Sequence, residues 1–361
     1  MYLGPGEPTN PALEYVNGRF NRAVEQTTGK EPWQHVVEFV NGREHTVILS
    51  LGAGLCAHEL AVAQWFTSSF ALECMDLSQE LLARGAAEAE ARGIALRTIC
   101  QDANVMELEP ERYDLVIANN CLHHFLELEH VLHQISQSLR PEGRLFVLDC
   151  TARNGMRLWP EALVVADAVW QLLPERLRRE LTAPEGDKPV REHIPDFSVT
   201  GEGFECIRSQ EVLPLVERFF RLEHLVKGYG FARHFVENNF GPNYDVEGEA
   251  DRQILDLLCD TDLRLVGTGL LRPEYFFAWA EGSQFPAEDF ARAAEEFHAR
   301  PLTEQGEQPE PILPEYQLVA LRQEVGSLRW EVECLRKSTS FRLGNFLVSK
   351  LRFLRRRRER Q

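Results

Sequence analysis

Two glycines, Gly52 and Gly54, follow the apolar run Thr46–Leu51 and open an apolar helical stretch. Glycines are needed at such a turn for two reasons. The chain turns sharply, and a ligand must lie against bare backbone. The first amides of the following helix would then face that ligand. Asp76 ends a second apolar run, Phe70–Met75. A carboxylate at a strand end can accept hydrogen bonds from both ribose hydroxyls of an adenosine. At this point the readings stay open. Gly52, Gly54 and Ala57 also satisfy the dinucleotide pattern G-x-G-x-x-G/A, with Asp76 at the spacing a nicotinamide cofactor wants. A tight strand–helix turn without a ligand is the bland alternative.

The elements that must position these residues alternate. The first forty-five residues read as a helical segment that stops near Asn41-Gly42. Strands are expected at Thr46–Leu51, Phe70–Met75, Ile94–Cys100, Tyr113–Ala118 and Arg144–Asp149, with helices at Leu55–Phe66, from Ser78 to about Arg92, and at Glu129–Leu139. Strands alternating with helices at this spacing imply a parallel sheet with right-handed crossovers. Continuous apolar strands fit a sheet covered on both faces. Beyond Cys150 a helix is expected over Trp159–Leu181, then a Pro- and Gly-rich loop or lid over Thr182–Cys206. Alternation resumes with a helix at Glu211–Phe219, a strand at Arg221–Val226, a helix at Asp251–Leu265 and a last strand at Glu274–Ala280. The expected organisation is a helical segment (1–45), an α/β domain (46–282) with a helical cap (about 151–208), a helix and Pro/Glu-rich linker (283–314), a short coiled-coil-like helix (315–337) and a basic amphipathic tail (338–361).

Composition narrows the partners. The formal net charge of −17 would make the folded body repel phosphates, which argues against nucleic acid. The eight cysteines are scattered, with no C-x-x-C pair and no zinc-like Cys/His spacing, so they read as reduced core residues of a cytoplasmic protein and no metal site is expected. The N-terminus has no basic start followed by an apolar run, so no secretory signal is expected. No stretch is apolar for long enough to span a bilayer.

The later strands separate the readings. VILSLGAGLCAHELA, ECMDLS, CQDANVMEL, YDLVIANNCLHHF and LRPEGRLFVLD resemble, in order, the successive motifs of class I S-adenosylmethionine-dependent methyltransferases of the type 11 or type 12 kind. The resemblance is close over residues 46–150 and looser to about 280. It implies a Rossmann-like α/β fold with a mostly parallel seven-stranded sheet, a helical cap and a C-terminal helical tail. It implies S-adenosyl-L-methionine as cofactor. Ser50, Leu51, Gly52, Ala53 and Gly54 would border its methionine part. Asp76 would hold the ribose, with Leu77 against the adenine. Asp102 would bond the adenine amino group, with Ala103 beside it. Asn119 would lie near the sulfonium. Two positions depart from the family: Ser50 stands where an acid is usual, and Cys56 where a third glycine is frequent.

His123 and His124 follow the fourth strand, beside the place where the methyl should lie. One of them is a candidate to orient or deprotonate an acceptor hydroxyl. Capping a helix or packing beside the cofactor is the alternative. His193, His224 and His234 read as surface or core histidines, and Trp159, Trp170, Phe231, Phe235 and Phe240 as packing of the cap.

Leu318, Leu321, Val325, Leu328, Val332 and Leu335 form a short heptad seam that could pair two copies or dock on a partner. Phe341–Arg360 combines an apolar stripe with clustered arginines, which suits an anionic membrane surface at the inner face of the cytoplasmic membrane. Ser338-Thr339-Ser340-Phe341-Arg342-Leu343 resembles the S-x-S-W-R-L tail of bacterial cell-surface polysaccharide enzymes, with Phe for Trp. That resemblance implies methylation of a small molecule or of a sugar on a lipid-linked glycan. A catalytically silent scaffold and a nicotinamide-dependent oxidoreductase are the other readings.

Overall fold

The computed structural model describes residues 10–183, 188–196, 198, 204–237, 239–282, 285–300 and 313–337. Two helices lead in, α1 (Pro11–Thr28) and α2 (Pro32–Asn41), each with proline in its first turn. Proline is tolerated there because the missing N–H has no helical partner. The core then alternates: β1 (His45–Leu51), α3 (Ala57–Ala63), β2 (Ser69–Asp76), α4 (Gln79–Ala91), β3 (Leu96–Cys100), β4 (Tyr113–Asn119), α5 (Leu128–Ser138) and β5 (Leu139–Cys150). The cap helix α6 (Pro160–Trp170) follows. Next come α7 (Ser209–Phe219), β6 (Arg221–Gly228), α8 (Glu249–Gly267), β7 (Tyr275–Glu281), α9 (Ala287–His298) and α10 (Glu315–Lys337).

The seven strands order as β3-β2-β1-β4-β5-β7-β6. β7 runs antiparallel to both its neighbours, and the other described pairings are parallel. A dinucleotide-binding sheet of order 3-2-1-4-5-6 has no such inserted reverse strand. Successive strand residues feed opposite faces, as the two-residue strand period requires. Ile48, Leu115, Ile117 and Phe146 enter the core shared with α1, α2, α4, α6 and α8. Leu49, Val116, Leu145 and Val147 enter the core shared with α5, α7 and α9.

Two expectations change. The helix expected over Trp159–Leu181 ends at Trp170, with Gln171 as its cap. Pro174 disfavours helical backbone at the residue before it and removes an N–H. The described remainder of 151–208 is irregular, pinned by isolated bridges at Arg153–Arg157 and Arg179–Val190. The second concerns the heptad seam. Leu321, Leu328 and Val332 are buried in the chain's own core, where α10 lies against α6 and α8. Arg264 holds Glu324 through two hydrogen bonds, and Gln317 Nε2 donates to Leu270 O. Each of those apolar side chains stabilises the docking by about 1.5–3 kcal/mol. Leu321, Leu328 and Val332 of the seam are therefore covered by the same chain. Trp330, 68% exposed, faces away from it. Among the described residues no helix is long and apolar enough to cross a membrane. The basic tail and the Ser338–Leu343 motif lie outside the described residues.

Candidate active site

The glycine turn is built as the sequence requires. Gly52 and Gly54 have φ of 56° and 51°, in the left-handed region that favours glycine. A Cβ on Gly52 would stand 2.5 Å from that of Cys121, so the turn is pressed against the loop after β4. Beside Gly54 a Cβ would meet only Leu81, at 3.9 Å, so a ligand has room against this backbone. Cys56 carries φ of 55° at the cap of α3, and its thiol packs where Gly85 of α4 gives way. The missing third glycine is thus replaced by a residue held in a glycine-like conformation.

Asp76 ties the turn to β2. Its Oδ2 accepts from Gly54 N and its Oδ1 from Ser78 N, both at 2.8 Å. Each oxygen keeps a second lone pair for a ribose hydroxyl. Leu77 is 71% exposed, and Val105, just past β3, is 70% exposed. β2 and β3 pair so that Asp76 stands opposite Cys100, which puts both apolar side chains at one end of neighbouring strands. Two exposed aliphatic residues at the mouth of a ribose site suit the faces of an adenine ring. Val105 was not singled out by sequence; its exposure marks it. Asp102 caps the turn Ala103–Val105, and its Oδ1 accepts from Asn104 N and Nδ2. Ala103 is buried beneath it. Leu51 has its side chain in the core, so only its backbone borders the turn.

Ser50 is fully buried, and its hydroxyl donates to Glu59 Oε1 at 2.8 Å. Sequence reading missed Glu59. The acid that the family places at the end of β1 has a counterpart one helical turn into α3, and burial pushes its carboxyl pKa up. Glycines, carboxylate and apolar mouth together fit an adenosine-containing cofactor.

Asp149, at the end of β5, organises the other half. It is fully buried. Its Oδ2 accepts from Cys121 N and Leu122 N, at 3.0 and 2.7 Å. Its Oδ1 lies 2.5 Å from His123 Nδ1. This one carboxylate therefore sets the course of the chain after Asn119 and fixes the His123 ring. His123 Nε2 lies 3.4 Å from Glu205 Oε1, and His124 Nε2 lies 3.7 Å from Glu205 Oε2. Burial works against charging His123, but Asp149 and Glu205 outweigh it and raise its pKa to about 10. Burial and the neighbouring His123 lower the pKa of His124. The hydrogen bond from His123 holds Glu205 down at about 2. Asn119 Oδ1 accepts from Asn120 Nδ2, and Asn120 Oδ1 accepts from Tyr275 OH at 2.6 Å.

The remaining histidines are placed elsewhere. His193 is exposed beside Asp167, the His224 ring lies tilted against that of His35, and His234 Nε2 lies 3.0 Å from Glu274. Trp170 packs edge-on against Phe235 and Phe240, and Arg272 lies over Trp159. These aromatics pack the cap.

Residues 48–143 match the family model of a methyltransferase domain. The stretch that carries the glycine turn, Asp76 and Asn119 is thus similar to a methyltransferase domain. Among curated proteins the chain is similar to the ubiquinone biosynthesis O-methyltransferase of Coxiella burnetii (strain RSA 493 / Nine Mile phase I), at 22% identity over 132 residues, 37% of this chain and 53% of the relative. The chain thus spans about half the length of the curated relatives it matches. Among solved structures it is similar to an S-adenosylmethionine-dependent methyltransferase from Mesorhizobium loti, at 17% identity, covering 69% of this chain and 94% of that one, with a TM-score of 0.38. It is also similar to one from Aquifex aeolicus, at 11% identity, covering 74% and 97%, with a TM-score of 0.35.

Proposed function

We propose that the chain transfers a methyl group from S-adenosylmethionine to a hydroxyl of a small molecule or of a glycan. The observation that carries this reading is Asp76, anchored by Gly54 N and Ser78 N between the glycine turn and the exposed pair Leu77 and Val105. The reverse strand β7 argues against a nicotinamide enzyme. When bound, the cofactor supplies a methyl already activated on sulfonium. The chain's own work is to align the acceptor and exclude water. Ser50 and Glu59 are in place to meet the cofactor's amino group from below the turn. Asn119 and Asn120 border the reacting end, with Tyr275 fixing Asn120.

His123 has carboxylates at both ring nitrogens and serves to hold the loop. Of the two, His124 orients the acceptor hydroxyl and takes its proton in this reading, which its partly open ring beside Glu205 supports. Oxygen as the acceptor atom is supported by the O-methyltransferase relatives. A lipid-linked sugar at the cytoplasmic face of the membrane is supported by the Ser338–Leu343 motif and the arginines after it.

Calorimetric titration of the full chain with S-adenosylhomocysteine and, separately, NADH tests the class. Micromolar binding of the first and none of the second is expected. The reverse order would overturn the reading. Absence of both would leave the scaffold.

A further inference from the structure

The cluster around His123 has donors beyond those that acceptor chemistry needs. His123 Nε2, a Glu205 carboxylate oxygen and Cys206 Sγ all lie within 4.8 Å of one another. They come from two segments more than eighty residues apart, so no sequence spacing announces them. From these residues we infer a zinc site: His123 Nε2, Glu205 and Cys206 bind one zinc ion at the rim of the acceptor region, with the fourth position left to water or to an acceptor oxygen. This goes beyond the methyl-transfer reading and does not need it to hold.

Three observations carry the inference. The first is spacing. At zinc bond lengths of about 2.0 Å to nitrogen or oxygen and about 2.3 Å to sulfur, tetrahedral geometry separates nitrogen from oxygen by about 3.3 Å and sulfur from oxygen by about 3.5 Å. His123 Nε2 and Glu205 Oε1 are 3.4 Å apart, and Cys206 Sγ and Glu205 Oε1 are 3.7 Å apart. The second is the support behind the ligands. Asp149 engages His123 Nδ1 at 2.5 Å and so aims Nε2 at the cluster, as the outer carboxylate of a zinc-bound histidine does, and zinc would take the place of the proton that Nε2 holds toward Glu205.

The third is that the second segment is held ready. Ile207 N donates to His123 O, and Gly155 N and Ser209 Oγ donate to Cys206 O. Phe204 and Cys206 sit at φ of 62° and 51°, a conformation that non-glycine residues keep only when their surroundings enforce it. Nitrogen, oxygen and one thiolate select zinc over the hard cations, which prefer all-oxygen sites. Three protein ligands and an open position is the pattern of zinc sites that polarise a bound oxygen. Cys150 Sγ lies 3.7 Å from Cys206 Sγ but falls outside the donor cluster.

The test uses the full chain purified in reductant without chelator. Elemental mass spectrometry should find one zinc per chain, and a chromophoric chelator should compete for it only at or below micromolar free zinc. Replacing zinc by cobalt(II) should give a thiolate-to-cobalt charge-transfer band. That band should vanish in Cys206→Ser and persist in Cys150→Ser. Circular dichroism and S-adenosylhomocysteine binding, read on the same samples, separate loss of metal from loss of fold. Wild-type protein that neither carries zinc nor takes it up in the chelator competition would overturn the inference. A band that survives Cys206→Ser would do the same. S-adenosylhomocysteine binding that fails while zinc binds would count against the methyl-transfer reading alone.

Discussion

Replacing Asp76 by Asn keeps the shape of the site proposed for the ribose and removes its charge. Each Asp76 oxygen already accepts one backbone N–H, from Gly54 or from Ser78. The amide has a single oxygen. In either orientation its NH2 group faces a backbone donor, and one ribose hydroxyl loses its acceptor. The other hydroxyl keeps a bond of neutral strength only. Losing one bond to a charged acceptor removes about 1.5–3 kcal/mol, and weakening the second removes about 1 more. The sum is about 3 kcal/mol, or roughly a hundredfold in affinity. Calorimetric titration of Asp76→Asn with S-adenosylhomocysteine reads this directly. The melting transition without ligand shows whether the turn itself survives. A variant that melts like the wild type and binds within about threefold of it would refute the assignment of Asp76 to the ribose, since no arrangement of the amide preserves both bonds.

Three further outcomes follow from the packing. Gly52→Ala puts a methyl 2.5 Å from Cys121 Cβ at φ of 56°, so it should cost about 1–3 kcal/mol in urea unfolding and abolish S-adenosylhomocysteine binding; unchanged binding would mean that the turn is looser than described. Arg208 is buried against Glu129 through two hydrogen bonds at 2.9 and 2.8 Å, and Glu129→Ala should destabilise the fold by about 2–3 kcal/mol in the same assay, because it removes both charge-assisted bonds and leaves Glu211 as the guanidinium's remaining carboxylate. Asp262 is buried under Gly230 N and Phe231 N, and burial raises its pKa from 3.8 to about 7. The folded chain then binds more protons than the unfolded one between those values, so this group's contribution is full below about pH 4, falls as pH rises to about 7 and is flat above; melting temperatures across that range should show the slope in the wild type and a weaker one in Asp262→Asn.

The cofactor half of the site was legible because its signals are local. A glycine pair after a strand, an acid at the end of the next strand and a capping serine all act within a few residues of themselves. Gly52, Gly54, Asp76 and Ser78 accordingly stand where the sequence places them. Ser50 was the ambiguous position, and its partner Glu59 is nine residues away on the next helix. The Trp159–Leu181 stretch misleads for the opposite reason. Its apolar spacing is helical throughout, but Leu173 and Leu177 are buried from an irregular segment on either side of Pro174. The heptad seam has the same cause. Apolar spacing shows that one face of α10 is covered, and it does not say by what; here the cover is α6 and α8.

The acceptor half was illegible because it is assembled around Asp149. That residue reads as the unremarked last acid of an apolar strand, yet it gathers Cys121 N, Leu122 N and His123 from the neighbouring strand's loop. His123 in turn meets Glu205, which arrives from the far end of the cap. Neither contact is encoded by spacing, since each depends on β4 and β5 lying side by side. This arrangement also separates the duties of the two adjacent histidines, which the sequence leaves equivalent. His123 points inward, with a carboxylate at each nitrogen, and fixes the loop, while His124 keeps part of its ring open. A shared scaffold therefore explains why replacing His123 should disturb both the loop and the cap, whereas His124→Ala should lower turnover and leave S-adenosylhomocysteine binding intact. Equal loss of cofactor binding in both variants would show that the two rings act together as structure, and the acceptor base would have to be sought at Tyr275 or Glu205 instead.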